Sequence, residues 1–174
     1  MKNALKSIAI MLAIILICGG LLAILSDVLY VTDEERIQRA IDKAYTEDVS
    51  LSQTLDATIY TENSEVGVIK QAYLLDNGDY LILSTGKQGY SNGTVSAYVA
   101  IEVTNGVATV KKVVQDSYTG QTLMSKLTNL YDQFVGNSVD SDFNKIVSGA
   151  TYSSNATANA VKIAVTYVQS LIGG

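Results

Sequence analysis

Residues 94–107 read TVSAYVAIEVTNGV. Val95, Ala97, Val99, Ile101 and Val103 fall on one side of a period-two repeat, and Ser96, Tyr98, Ala100 and Glu102 on the other. Successive side chains of a strand point to opposite faces of its sheet. The alternation therefore predicts a strand over 94–104 with one face buried. Asn105-Gly106 supplies residues that accept positive φ, the signal for a tight hairpin, and 107–114 runs back from it. An antiparallel sheet is the expected centre of the fold.

The same signals recur outward from this hairpin. Asn77-Gly78 predicts a second two-residue hairpin joining strands over 66–75 and 80–85, and 55–61 is a further strand candidate. Residues 86–93, GKQGYSNG, read as a Gly-rich loop. Downstream, Leu123, Leu127, Leu130 and Phe134 recur at helical spacing and predict a helix over 121–135, with Gly136-Asn137 as its C-cap. Val161, Val165, Val168 and Ile172 form the stripe of a helix over 154–172 that Gly173 ends. Both stripes are read as core. Upstream, Thr32-Asp33-Glu34-Glu35 is a capping box. It opens a helix over 33–46 with Ile37, Ala40, Ile41, Ala44 and Tyr45 on one face. Helix, strands, then two helices define an α+β class.

Residues 8–25, IAIMLAIILICGGLLAIL, carry no charge. With Ser7 and Ser26 they make about 20 residues, a helix of roughly 30 Å, enough to cross a hydrocarbon core. A cleaved signal peptide would have an apolar region of only about 7–15 residues and a small-x-small cleavage site. A lipoprotein signal would need a small residue before Cys18, where Ile17 stands. The expectation is a retained transmembrane helix over 7–26, with Cys18 facing lipid or packing. Lys2 and Lys6 precede it, and Asp27, Asp33, Glu34 and Glu35 follow. The positive-inside bias puts 1–6 in the cytoplasm. Outside the cell membrane come a stalk helix over 27–50 and an extracytoplasmic domain over 51–174.

Composition excludes several chemistries. The 174 residues carry a net charge of −5. Setting aside Lys2 and Lys6 leaves ten Lys/Arg against seventeen Asp/Glu, a net −7 outside the membrane, which argues against nucleic-acid binding. No histidine exists, so Ser-His-Asp catalysis, His-ligated zinc and imidazole proton shuttling are excluded. Cys18 is the only cysteine, so the outer part has no disulfide and no thiolate metal site. No catalytic or metal-binding residue is assigned. Asn92-Gly93-Thr94 and Asn155-Ala156-Thr157 fit the glycosylation pattern, but such short matches are usually empty.

Ser148-Gly149-Ala150-Thr151 stands just before the last helix. The first amides of a helix lack partners and its dipole favours an anion there, so a small-residue loop with a hydroxyl suits a phosphate. An ordinary Ser/Thr-rich N-cap loop is the plain alternative.

Taken together, MKNALK before one apolar span, the capped helix, GYSNG before an alternating strand, the turn at 117–122 and VSGATYSS before the last helix carry a resemblance. The chain resembles the FMN-binding domain family of membrane-anchored electron-transport subunits, found in the Rnf complex and in the sodium-translocating NADH:quinone reductase. The resemblance implies FMN bound covalently through its phosphate to Thr151. It also implies an electron-carrying role in an ion-translocating oxidoreductase, other membrane subunits as partners, and maturation by a flavin transferase. Ser148, Gly149, Ala150, Tyr152, Ser153, Thr119, Gly120 and Tyr90 are the further candidate cofactor-binding residues. The chain departs from the family at Lys145, where an aspartate is usual, and in the turn Ser117-Tyr118-Thr119-Gly120-Gln121-Thr122, which keeps only the glycine of ETPGLG. Two other functions compete: a stand-alone anchored flavoprotein of extracellular electron transfer, and a cofactor-free anchored surface protein.

Overall fold

The computed structural model describes residues 2–29, 31–57 and 65–173. They form two compact units, Met1–Arg36 and Ile37–Gly174.

The first unit holds α1 (Lys2–Leu29) and the start of α2 (Asp33–Ala44). The N-cap half of the capping box is present: the Glu35 amide donates to Thr32 Oγ1 at 3.2 Å. The described side chains of α1 between 10 and 22 are all exposed, from Ile10 through Leu22. Among the described residues no helix is long and apolar enough to cross a membrane.

The second unit is built on one antiparallel sheet in the order β1 (Leu51–Leu55), β2 (Gly67–Leu75), β3 (Tyr80–Gly86), β4 (Thr94–Thr104), β5 (Val107–Thr119). The expected α+β class and antiparallel sheet are present. Sequential strands are neighbours, joined by short loops wherever the connection is described. At 104–107 the hairpin closes as expected: Thr104 pairs with Val107, and Asn105 and Gly106 sit at φ 54° and 78°. The Asn77-Gly78 loop differs. Leu75 accepts from the Gly78 amide and donates to the Asp79 carbonyl, so three residues turn the chain, with Gly78 at φ 87°. The Asn77 side chain accepts from the Asp79 amide at 3.0 Å and favours this longer turn. The first strand also differs, lying at Leu51–Leu55 rather than 55–61; residues 58–61 lie outside the described residues.

Both faces of the sheet are covered, not one. Val95, Val99 and Ile101 face a core shared with Leu127, Leu130, Phe134, Val161, Val165 and Val168. On the opposite face Tyr98 and Ala100 join Tyr73, Leu81 and Leu83 under Ile37, Ala40 and Ile41 of α2. The helix expected as a stalk thus lends its apolar stripe to this second core from Ile37 onward. A strand written Ser-Tyr-Ala-Glu on one side looked solvated, yet Tyr and Ala bury readily when a helix lies on them.

Residues 121–135 do not form an α-helix. Two 3-10 turns, Met124–Leu127 and Tyr131–Phe134, replace it. Met124, Leu127 and Leu130 are three apart, the repeat of a 3-10 turn, and all are buried. Leu123, expected on the buried stripe, is 37 % exposed. Hydroxyls and amides compete for the backbone here: Thr128 Oγ1 donates to the Ser125 carbonyl at 3.2 Å. Gly136, at φ 83°, does not cap a helix as expected; its amide donates to the Val110 carbonyl of β5 at 2.8 Å.

The last helix, α3 (Thr151–Ile172), begins three residues earlier than the stripe suggests. Its contact with the sheet is close. A Cβ on Gly86 of β3 would collide with the Ala156 carbonyl oxygen and lie 2.5 Å from the Ala160 amide. Ser84 Oγ donates to the Ala160 carbonyl at 2.8 Å from within the same contact. Backbone meets backbone there because neither surface carries a bulky side chain.

Candidate functional site

Ala150 is the N-cap of α3 and offers no side-chain cap. The Ala150 amide donates to the Val147 carbonyl at 2.9 Å, closing the turn that delivers Thr151. Gly149 takes φ 77° to make that turn. Ser154 secures the loop from inside the helix: its hydroxyl donates to the Ala150 carbonyl at 2.9 Å and accepts from the Val147 amide at 3.0 Å. Among the described residues nothing accepts from the amides of Thr151, Tyr152 or Ser153. These are the unpaired donors expected at a helix start, at its positive end.

Beside them lies a cleft of about 130 Å³ lined by Tyr90, Thr122, Leu123, Gly149, Ala150, Thr151, Tyr152 and Ser153. Thr151 is exposed. Tyr90 and Tyr152 are each 58 % exposed, and their rings meet edge to face at 6.0 Å. Six of the candidate cofactor-binding residues therefore line one cleft. Ser148 is exposed next to it in the chain. Thr119 and Gly120 stand behind it: Thr119 Oγ1 bonds Thr94, and Gly120 turns the chain at φ 65°.

What joins these parts is Gln121, which the sequence did not single out. Its side chain is buried. Its Oε1 accepts from Ser153 Oγ at 2.7 Å and from the Tyr90 amide at 3.4 Å; its Nε2 donates to the Thr119 carbonyl at 3.2 Å. A Cβ on Gly89 would collide with that amide group, and one on Gly93 would lie 2.5 Å from Nε2. The glycines of the GYSNG loop make room for Gln121. Lys126 is the second residue missed. Its Nζ lies 3.4 Å from where a Cβ on Gly149 would stand, so a cation borders the 148–151 loop. A polar residue directly after the Gly120 turn was the only signal for the first; nothing in the spacing pointed to the second. Lys145 is half-buried, with its amide bonded to the Phe143 carbonyl at 2.8 Å.

No protein-family model, curated protein or solved structure matches this chain. The fit to FMN therefore rests on the residues. The free amides, Thr151 and Lys126 suit a phosphate, and the exposed Tyr90, Leu123 and Tyr152 suit one face of a flat aromatic ring. The cleft is smaller than the roughly 300–1,000 Å³ of sites that enclose such ligands, so most of a flavin would lie at the surface. Among the described residues no group of three or more His, Cys, Asp or Glu could hold a metal.

Proposed function

We propose that the chain is a membrane-anchored, electron-carrying flavoprotein subunit of an Rnf- or Nqr-type ion-translocating oxidoreductase, with FMN joined through its phosphate to Thr151. The observation that supports it is the exposed Thr151 hydroxyl at the unpaired amide end of α3, beside the two exposed tyrosine rings. When bound, FMN would pass electrons singly or in pairs. The protein's part is placement. Attachment needs Thr151 Oγ1 to displace a leaving group from phosphorus in an activated FMN donor held by a flavin transferase; the hydroxyl proton passes to that enzyme. The Thr151, Tyr152 and Ser153 amides and Lys126 then balance the phosphodiester charge. A shallow cleft leaves the ring open to a redox partner, and the tether keeps its effective concentration near millimolar or above.

The anchor is residues 7–26 and the domain is extracytoplasmic. This reading rests on the uncharged run 8–25 and on Lys2 and Lys6 before it. Proteolysis of intact cells should remove the domain. Coexpression of the full chain with a flavin transferase tests the cofactor: the parent gains one FMN by mass, and Thr151→Val gains none while unfolding at the parent's midpoint. Persistence of the added mass in Thr151→Val would move the site to Ser148 or Ser153.

A further inference from the structure

A second and larger cleft lies along α3, away from the tyrosine pair. It measures about 380 Å³ and runs between α3, the 141–144 loop and Gln88. We propose that it binds a neutral polyhydroxylated ligand, a saccharide unit.

The cleft has fixed walls. Phe143, buried, stacks on Phe134 with ring centroids 6.3 Å apart and pins the 141–144 loop to the core. Asp142 Oδ1 accepts from the Asn144 amide at 2.8 Å. Across the cleft, Asn159 Nδ2 donates to the Lys87 carbonyl at 3.0 Å and to Gln88 Oε1 at 3.4 Å, bracing Gln88 at φ 68°. A non-glycine residue held at positive φ is a strained position that the surroundings must maintain.

The groups left over define the ligand. Among the described residues the carboxamides of Asn144 and Asn155 make no hydrogen bond, and neither Asp142 nor Lys162 is in an ion pair. Each carboxamide both donates and accepts, as each sugar hydroxyl does. An inorganic anion would meet Asp142 as well as Lys162. A nucleic acid would find one cation in a chain of net charge −5. An apolar ligand would strand the amides, since Phe143 is packed inside the core and leaves little apolar wall. A neutral polyol satisfies donors and acceptors together. The inference is independent of the flavin reading, because none of these residues lines the tyrosine cleft.

The test uses the full chain in a sugar-free zwitterionic detergent, with maltotriose and chitotriose as probes in saturation-transfer NMR. At least one should give a saturable signal that inorganic phosphate does not displace. Asn144→Ala with Asn155→Ala should weaken it at least tenfold without moving the unfolding midpoint, since neither side chain supports the fold. Absence of saturation with both sugars, displacement by phosphate, or unchanged binding in the double variant would overturn the proposal. Should the double variant unfold early, Lys162→Ala, on the exposed side of α3, gives the same reading: at least tenfold weaker binding is expected, and unchanged binding overturns it.

Discussion

The Ser153 hydroxyl donates to Gln121 Oε1 at 2.7 Å, and both side chains are buried. One bond thereby ties the first turn of α3 to the turn after β5. The same oxygen reaches the Tyr90 amide, so the Tyr90–Tyr152 pair is held from behind. Gln121→Leu removes these partners and leaves the Ser153 hydroxyl buried and unpaired. The expected cost is about 1–3 kcal/mol in urea unfolding, with faster hydrogen exchange across 89–93. Parent-like stability with unchanged exchange would show that the bond contributes nothing.

Under the proposed attachment of FMN, charge near the loop should act in two ways. Lys126→Ala should slow incorporation by at most about fivefold, because an exposed cation contributes about 0–1 kcal/mol and salt screens it. Lys145→Asp restores the acid usual in the resembling family and should speed it. Initial rates with one transferase measure both. A slower Lys145→Asp would mean that this chain's transferase reads something other than the acid.

Tyr131 should resist ionisation. Burial, with a smaller contribution from Tyr118, pushes its phenol up to about 12, against an opposing bond from Thr157. Burial and the Asp79 carboxylate likewise hold Tyr45 far above the ordinary tyrosine range. A folded-state value above the unfolded one stabilises the protein below the unfolded value and is lost as pH rises through the folded one. Stability should fall above about pH 10. In an alkaline titration followed by phenolate absorbance, Tyr45 and Tyr131 should be among the tyrosines that ionise only as the fold is lost. Full ionisation with the circular dichroism intact would contradict this.

Asp76 titrates in the other direction. The Ser50 hydroxyl at 2.6 Å and the Ser50 amide at 3.2 Å hold its carboxyl below the usual range. The stability it lends is present above the unfolded value and lost as pH falls through the depressed one. The Ser50 amide proton should therefore shift in NMR with a midpoint below that of an unperturbed aspartate, and Asp76→Asn should remove the shift. A midpoint at the ordinary value would mean that the bonds do not persist in solution.

The sheet was legible because period-two alternation and Asn-Gly pairs are local signals, as 94–107 illustrates. Alternation alone leaves Tyr98 and Ala100 on the open face, because the helix that covers them lies more than fifty residues away in the chain. Leu123–Phe134 fits a four-residue repeat nearly as well as the three-residue one it adopts, so the spacing alone does not separate the two. At the site, Thr151 and Tyr152 could be read from the loop they share. Gln121 could not, because its role is defined by Ser153 and by two glycines in another segment.

The Gly86 contact has a consequence for how such a domain can diverge. Since α3 meets β3 main chain to main chain, the helix has a fixed datum that owes nothing to the side chains around Thr151. Lining residues can then be exchanged one at a time while the hydroxyl keeps its address. Drift in sequence and constancy of the anchor point are then compatible, and the invariant to seek in distant relatives is a glycine facing an alanine-bearing helix rather than any residue that would touch a ligand.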